Sequence, residues 1–157
     1  MMRLGSKEIL DIYQERGRRY ALKLFRRAAS AVPAYRDFLK KNKINPRKIK
    51  NFADFQSVPP VNKINYLHAY PLEKLAWRGS LSETTVFSAT SGSTGQPFYF
   101  PRNKTLEEQS AYYHELFLKN HNAQSKSTLA VICFGMGVWV GGLITYRAFQ
   151  ILADRGY

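Results

Sequence analysis

The stretch that most constrains this chain is Thr90-Ser91-Gly92-Ser93-Thr94-Gly95-Gln96-Pro97, in which six hydroxyl-bearing or glycine residues run without interruption before a proline closes the segment. Such a composition offers a core almost nothing to pack. Runs rich in β-branched and aromatic residues flank it, Thr85-Val86-Phe87-Ser88-Ala89 before and Phe98-Tyr99-Phe100 after, so it reads as a loop between two short strands. Gly92 and Gly95 can adopt φ > 0 and let main-chain N–H groups converge on one point. The hydroxyls of Ser91, Ser93 and Thr94 add donors without bulk. A concavity of this kind suits a polyanion, phosphate being the usual one. A flexible hairpin turn is the competing reading, since Ser/Gly composition supports that too.

Three familiar loops are excluded by inspection. A Walker A loop needs Lys-Ser or Lys-Thr after its second glycine, but Gln96-Pro97 follows Gly95. A nucleophile elbow needs glycine two residues before its serine, and Ser91 stands there before Ser93. No Gly-x-Gly-x-x-Gly lies within the segment. What remains, Ser/Thr-Ser-Gly-Ser/Thr-Thr-Gly-x-Pro, resembles the phosphate loop of the adenylate-forming (acyl-CoA synthetase) superfamily. Val32-Pro33-Ala34-Tyr35-Arg36, Phe52 to Phe55, Val58-Pro59-Pro60-Val61-Asn62-Lys63 and Tyr70-Pro71 resemble, in order, the lead-in of its phenylacetate–CoA ligase branch. Gln96 to Arg102 is most similar to relatives associated with capsular polysaccharide synthesis. The resemblance covers approximately residues 30–150. Phe98 occupies a position where many superfamily members carry lysine, a feature the phenylacetate–CoA ligase branch often lacks as well.

The resemblance implies a two-step reaction: a carboxylate attacks the α-phosphate of ATP–Mg2+ to give an acyl-adenylate and pyrophosphate, then a thiol, normally CoA, displaces AMP. Thr90, Ser91, Gly92, Ser93, Thr94 and Gly95 would hold the ATP phosphates, a positioning and electrostatic task with no nucleophile or general base among them. It also implies that the adenine, ribose and magnesium motifs and the lysine of the small C-terminal domain follow later than residue 157. The expectation is therefore an N-terminal, truncated portion of a ligase, inactive alone. The alternatives are a non-catalytic binding or scaffold protein derived from that fold, and a basic nucleic-acid-binding protein.

With 45 % hydrophobic and 14 % aromatic residues in 157, the chain has enough apolar material for a core. Its net charge of +13 is uneven: residues 1–78 carry 18 Lys/Arg against 6 Asp/Glu, residues 79–157 only 6 against 5. A basic half invites a nucleic-acid reading. Yet Arg16, Arg18, Arg19, Lys23, Arg26 and Arg27 are interleaved with core positions, and no nucleic-acid motif accompanies them, so a solvated face is favoured. Cys133 is the single cysteine, in an apolar run where a thiol packs as a small hydrophobe. His68, His114 and His121 are scattered, so no metal site is expected. The start of the chain has no signal-peptide core, which points to the cytoplasm. Ser127 to Tyr146 is an uncharged run of twenty residues, long enough to span a bilayer. Its glycines instead favour strand, loop and helix, and no membrane span is expected.

Read in order, a helix from Ser6 carries Ile9, Tyr13, Tyr20, Leu24 and Ala28 on one face, broadened by Ile12, Ala21 and Phe25, with a weak point at Gly17. Ala34–Lys41 forms a second helix with Tyr35, Phe38 and Leu39 inward. Asn62 caps a helix over Lys63–Ala69. Asn103 or Thr105 caps another, whose buried stripe is Leu106, Ala111 (or Gln109), Tyr113, Leu116, Phe117 and Asn120. Leu129–Phe134 reads as a buried parallel strand, and a helix follows from Val138 or Gly142 to Ala153. The expected fold is α/β: a helical leader over 1–83, then the phosphate loop and an incomplete βαβ sheet over 84–157, one incomplete domain overall. The second glycine cluster, Gly135 to Gly141, only loosely matches a dinucleotide fingerprint. Asp154 lies about twenty residues on but follows helix rather than strand. By the resemblance, Met136 and Trp139 line an acyl pocket; core packing is the other reading.

Overall fold

The computed structural model describes residues 6–90, 97–121, 123 and 127–157, with the side chains of Ser6 and Ile9 outside that description. The chain divides into two compact units, Met1–Leu81 and Ser82–Tyr157.

In the first unit, α1 (Ser6–Ala31) runs unbroken through Gly17. After the extended residue Val32 comes α2 (Pro33–Lys41). Pro33 suits the first helical position because an N–H there has no intrahelical partner, and it forces Val32 out of the helical region. Phe25 and Ala29 of α1, Phe38 and Leu39 of α2, and Ile49 form the core, with Tyr35, Phe55, Val58 and Tyr66 packed against it. Rings meet edge-on, Phe25–Phe55 at 5.5 Å and Phe38–Tyr66 at 5.7 Å, the arrangement aromatic quadrupoles favour. Burial pushes the Tyr66 hydroxyl up to about 12.

Short capped turns complete this unit. Asn51 and Asp54 form a reciprocal capping box at α3 (Phe52–Gln56), and Asn62 and Asn65 do the same for a π-helical turn over Lys63–Leu67. α4 (Leu72–Leu75) follows Pro71. Several basic side chains have partners. Arg26 donates to the Lys50 carbonyl at 2.9 Å, and Arg18 and Arg27 lie over the rings of Phe52 and Trp77 at 5.7 and 5.4 Å. Lys41 pairs with Asp37 at 2.7 Å, and Tyr70 donates to the same carboxylate at 2.8 Å.

The α1 stripe expected from periodicity is buried only in part, at Phe25, with Ala21 and Ala28 half-buried. Tyr13 and Tyr20 are 65 % and 62 % exposed and Ile12 and Leu24 also face water, whereas Leu22, Phe25 and Ala29 turn inward. Every described side chain from Lys7 to Tyr20 is exposed. Periodicity reveals an apolar stripe but not whether another element lies opposite it, and within this unit α1 enters the core through Leu22, Phe25 and Ala29.

The second unit is mixed. β1 (Val86–Ala89) and β2 (Tyr99–Arg102) form a two-stranded antiparallel sheet. Two helices follow, α5 (Lys104–Asn120) and α6 (Val140–Asp154). Asn103 caps α5, accepting from the Leu106 N–H at 3.0 Å. Ala111, Ala148 and Ile151 form the interhelical core, small enough for the backbones to approach closely. Around it Arg147 pairs with Glu107 at 3.2 Å, and Arg155 pairs with both Glu108 and Glu115. The face α5 buries is therefore Glu107, Ala111, His114, Glu115 and Leu118. Of the stripe expected from sequence only Ala111 is buried, and Tyr113 is 70 % exposed. Arg147 of α6 and Arg155, the residue after it, select the acidic face.

Taken together the fold is mixed α/β, mostly helical with one small antiparallel sheet. The buried parallel strand expected over Leu129–Phe134 is absent: those residues are irregular, Leu129 is 88 % and Val131 74 % exposed, and Cys133 is exposed rather than packed. Among the described residues, the parallel pairing falls later, as one isolated bridge between Ala89 and Trp139. An apolar run becomes a buried strand only when a sheet edge and a covering layer are both in place. Among the described residues no helix is long and apolar enough to cross a membrane.

Candidate functional site

The site is built on the hairpin. Its register pairs Val86 with Arg102, Phe87 with Pro101, Ser88 with Phe100 and Ala89 with Tyr99. The Thr85 N–H donates to the Arg102 carbonyl at 2.8 Å. At the other end the Thr90 N–H donates to the Phe98 carbonyl at 3.0 Å, and the Phe98 N–H donates to the Thr90 hydroxyl oxygen at 3.0 Å. Alternation from that pair puts Phe87 and Pro101 at a position that exchanges no main-chain bonds, so the proline removes none.

The Thr90–Phe98 pair brings together the two ends of the hydroxyl- and glycine-rich segment. Ser91, Gly92, Ser93, Thr94 and Gly95, with Gln96, lie outside the described residues. Thr90 is described: its amide is committed to Phe98, while its hydroxyl accepts one bond and keeps its own proton to donate.

The second glycine cluster lies beside the root of this segment. The Ala89 N–H donates to the Val138 carbonyl at 2.7 Å, and Trp139 is both the bridge partner of Ala89 and the residue before α6. Gly137, at φ 89°, allows the turn that delivers Val138 to that edge. Gly142 is required by close approach, because a Cβ there would lie 2.5 Å from the Gly135 carbonyl oxygen. No side chain caps α6 and its first turn has no acid, which leaves a positive helix end. Trp139 packs against Gly135, Met136 lies beside Gly142, and both side chains are otherwise exposed. The loop start and the residues assigned by resemblance to an acyl pocket are thus neighbours through the β1–Trp139 edge.

Two residues were not singled out from sequence as site residues. Ser88 is 0 % and Arg102 is 4 % exposed, and Ser88 Oγ and Arg102 Nε and Nη1 are buried without a hydrogen-bond partner among the described residues. The available signal was an arginine at the apolar phase of the Phe98, Phe100, Arg102 alternation. Among the described residues, no group of three or more His, Cys, Asp or Glu side chains is placed to hold a metal ion.

No protein-family model matches the chain, and no curated protein matches it.

Proposed function

We propose that this chain carries the triphosphate grip of an ATP-dependent, AMP-forming acid–thiol ligase of the adenylate-forming superfamily, phenylacetate–CoA ligase-like. The loop Ser91 to Gly95 would bind the β- and γ-phosphates, with Mg2+ entering on the nucleotide. One observation supports this reading above the others: the Thr90–Phe98 pair gathers both ends of a hydroxyl- and glycine-rich segment beside the uncapped start of α6. Amides and hydroxyls of the segment and a helix N-terminus would then serve one polyanion. Met136 and Trp139 would border the carboxylate substrate, and CoA would be the acceptor in the second step. A nucleic-acid role is less favoured, because Arg18, Arg26, Arg27 and Lys41 already have partners within the first unit.

Titration calorimetry with ATP–Mg2+ tests the reading. Saturable binding is expected, weakened about ten- to a hundredfold in a Ser93→Ala/Thr94→Ala variant by loss of charge-assisted hydrogen bonds. Identical affinities in the two proteins would refute it.

A further inference from the structure

We propose that the face of the β1–β2 hairpin that carries the buried side chains of Ser88 and Arg102 is an oxyanion subsite, distinct from the Thr90–Gly95 loop. The register puts Val86, Ser88, Phe100 and Arg102 on one face of the hairpin. Ser88 and Arg102 are diagonal neighbours across the strands, a separation a long side chain bridges. Both are buried, and among the described residues Ser88 Oγ and the guanidinium Nε and Nη1 have no partner. Hydrogen-bond donors in that state are costly, and a buried cation without a counter-charge more so. A lysine escapes by releasing its proton; a guanidinium does not.

The acidic residues of this unit do not supply the counter-charge. Glu107 is paired with Arg147, Glu108 with Arg155, and Glu115 with Lys119 and Arg155. Glu83 and Asp154 are exposed. The complementary group is therefore a small anion from solution with several acceptor oxygens, a carboxylate or a phosphate. It would accept from the guanidinium and from the Ser88 hydroxyl together. This subsite stands on burial and register alone and does not require the ligase reading.

The experiment is thermal unfolding of the full chain at constant ionic strength in chloride, with added inorganic phosphate or acetate. A saturable rise in Tm is expected with at least one of them, and which one responds identifies the source of the oxyanion. Arg102→Met should abolish the rise and, without anion, be at least as stable as the parent, since it removes an unpaired buried charge. Ser88→Ala should weaken the response about tenfold. Because the proposed loop would also take phosphate, the proteins are compared in the Ser93→Ala/Thr94→Ala background as well, where only the rise that depends on Arg102 is left, so failure here is separable from failure of ATP binding at the loop. No rise beyond chloride, or an equal rise in Arg102→Met, overturns the proposal and leaves a bridging water as the partner of both groups. If Arg102→Met does not fold, the Arg102 Nε–H resonance of the parent decides: a saturable shift on adding phosphate or acetate supports the subsite, and no shift with either overturns it.

Discussion

The two units of this chain solve the same problem with different success. In the first, rings from α1, α2, α3 and the Lys63–Leu67 turn converge on one aromatic core, and the polar ends of α3 and of that turn are closed by reciprocal asparagine caps. In the second, two helices close over alanine and isoleucine behind a belt of ion pairs. Yet the run 129–138 stays largely in water, and Ser88 and Arg102 are buried with polar atoms unsatisfied among the described residues. The contrast teaches where to look for activity. A segment whose groups are all satisfied has little left to offer a ligand, whereas sites are drawn from the less satisfied parts of a fold.

The comparison can be broken most directly by truncating core against run. Phe25→Ala should cost the first unit about 3–5 kcal/mol, seen as a lower urea midpoint, because Phe25 is almost wholly buried. Leu129→Ala, an equally apolar deletion, should stay within about 0.5 kcal/mol; equal losses would mean that the run is covered in solution. Next in size, Gly142→Ala forces a methyl against the Gly135 carbonyl and should cost about 1–3 kcal/mol. Faster hydrogen exchange at the Ala89 amide would accompany it, since that amide is held by Val138. Asn51→Ala removes one half of the α3 capping box and should cost about 1 kcal/mol, measured by thermal unfolding.

The smallest effect concerns pH. Lys41 first, and Tyr70 second, hold the Asp37 carboxyl below its ordinary value. A lowered carboxyl stabilises the fold above its ordinary value, and that contribution is lost as pH falls through the lowered one. Asp37→Asn should therefore lower stability slightly at neutral pH, converge with the parent in acid, and so flatten the acid limb of the stability curve. A carboxyl resonance titrating at the ordinary Asp position would contradict the contact.

Local signals were legible in the sequence. Asn62 and Asn103 announce their turns, the inward set Phe38 and Leu39 follows from α2's short amphipathic pattern, and the β-rich flanks of residues 90–97 foretell the hairpin. What failed needed a partner distant in sequence. Glu107 and Glu115 look like solvent residues until Arg147 and Arg155, forty residues on, turn that face inward. The strand expected at Leu129–Phe134 and the stripe at Tyr13–Leu24 were apolar patterns left largely exposed among the described residues. In the candidate site, the segment's flanks were readable, whereas Arg102 was hidden because alternation at that position implies an apolar residue.

The two tryptophans of the chain are divided between the units, Trp77 under the Arg27 guanidinium and Trp139 where α6 begins. Each unit thus contains its own intrinsic fluorophore, one with its emission tuned by a neighbouring cation. Replacing either by phenylalanine leaves a chain that glows from one half only, so the melting of each half can be followed by its own light.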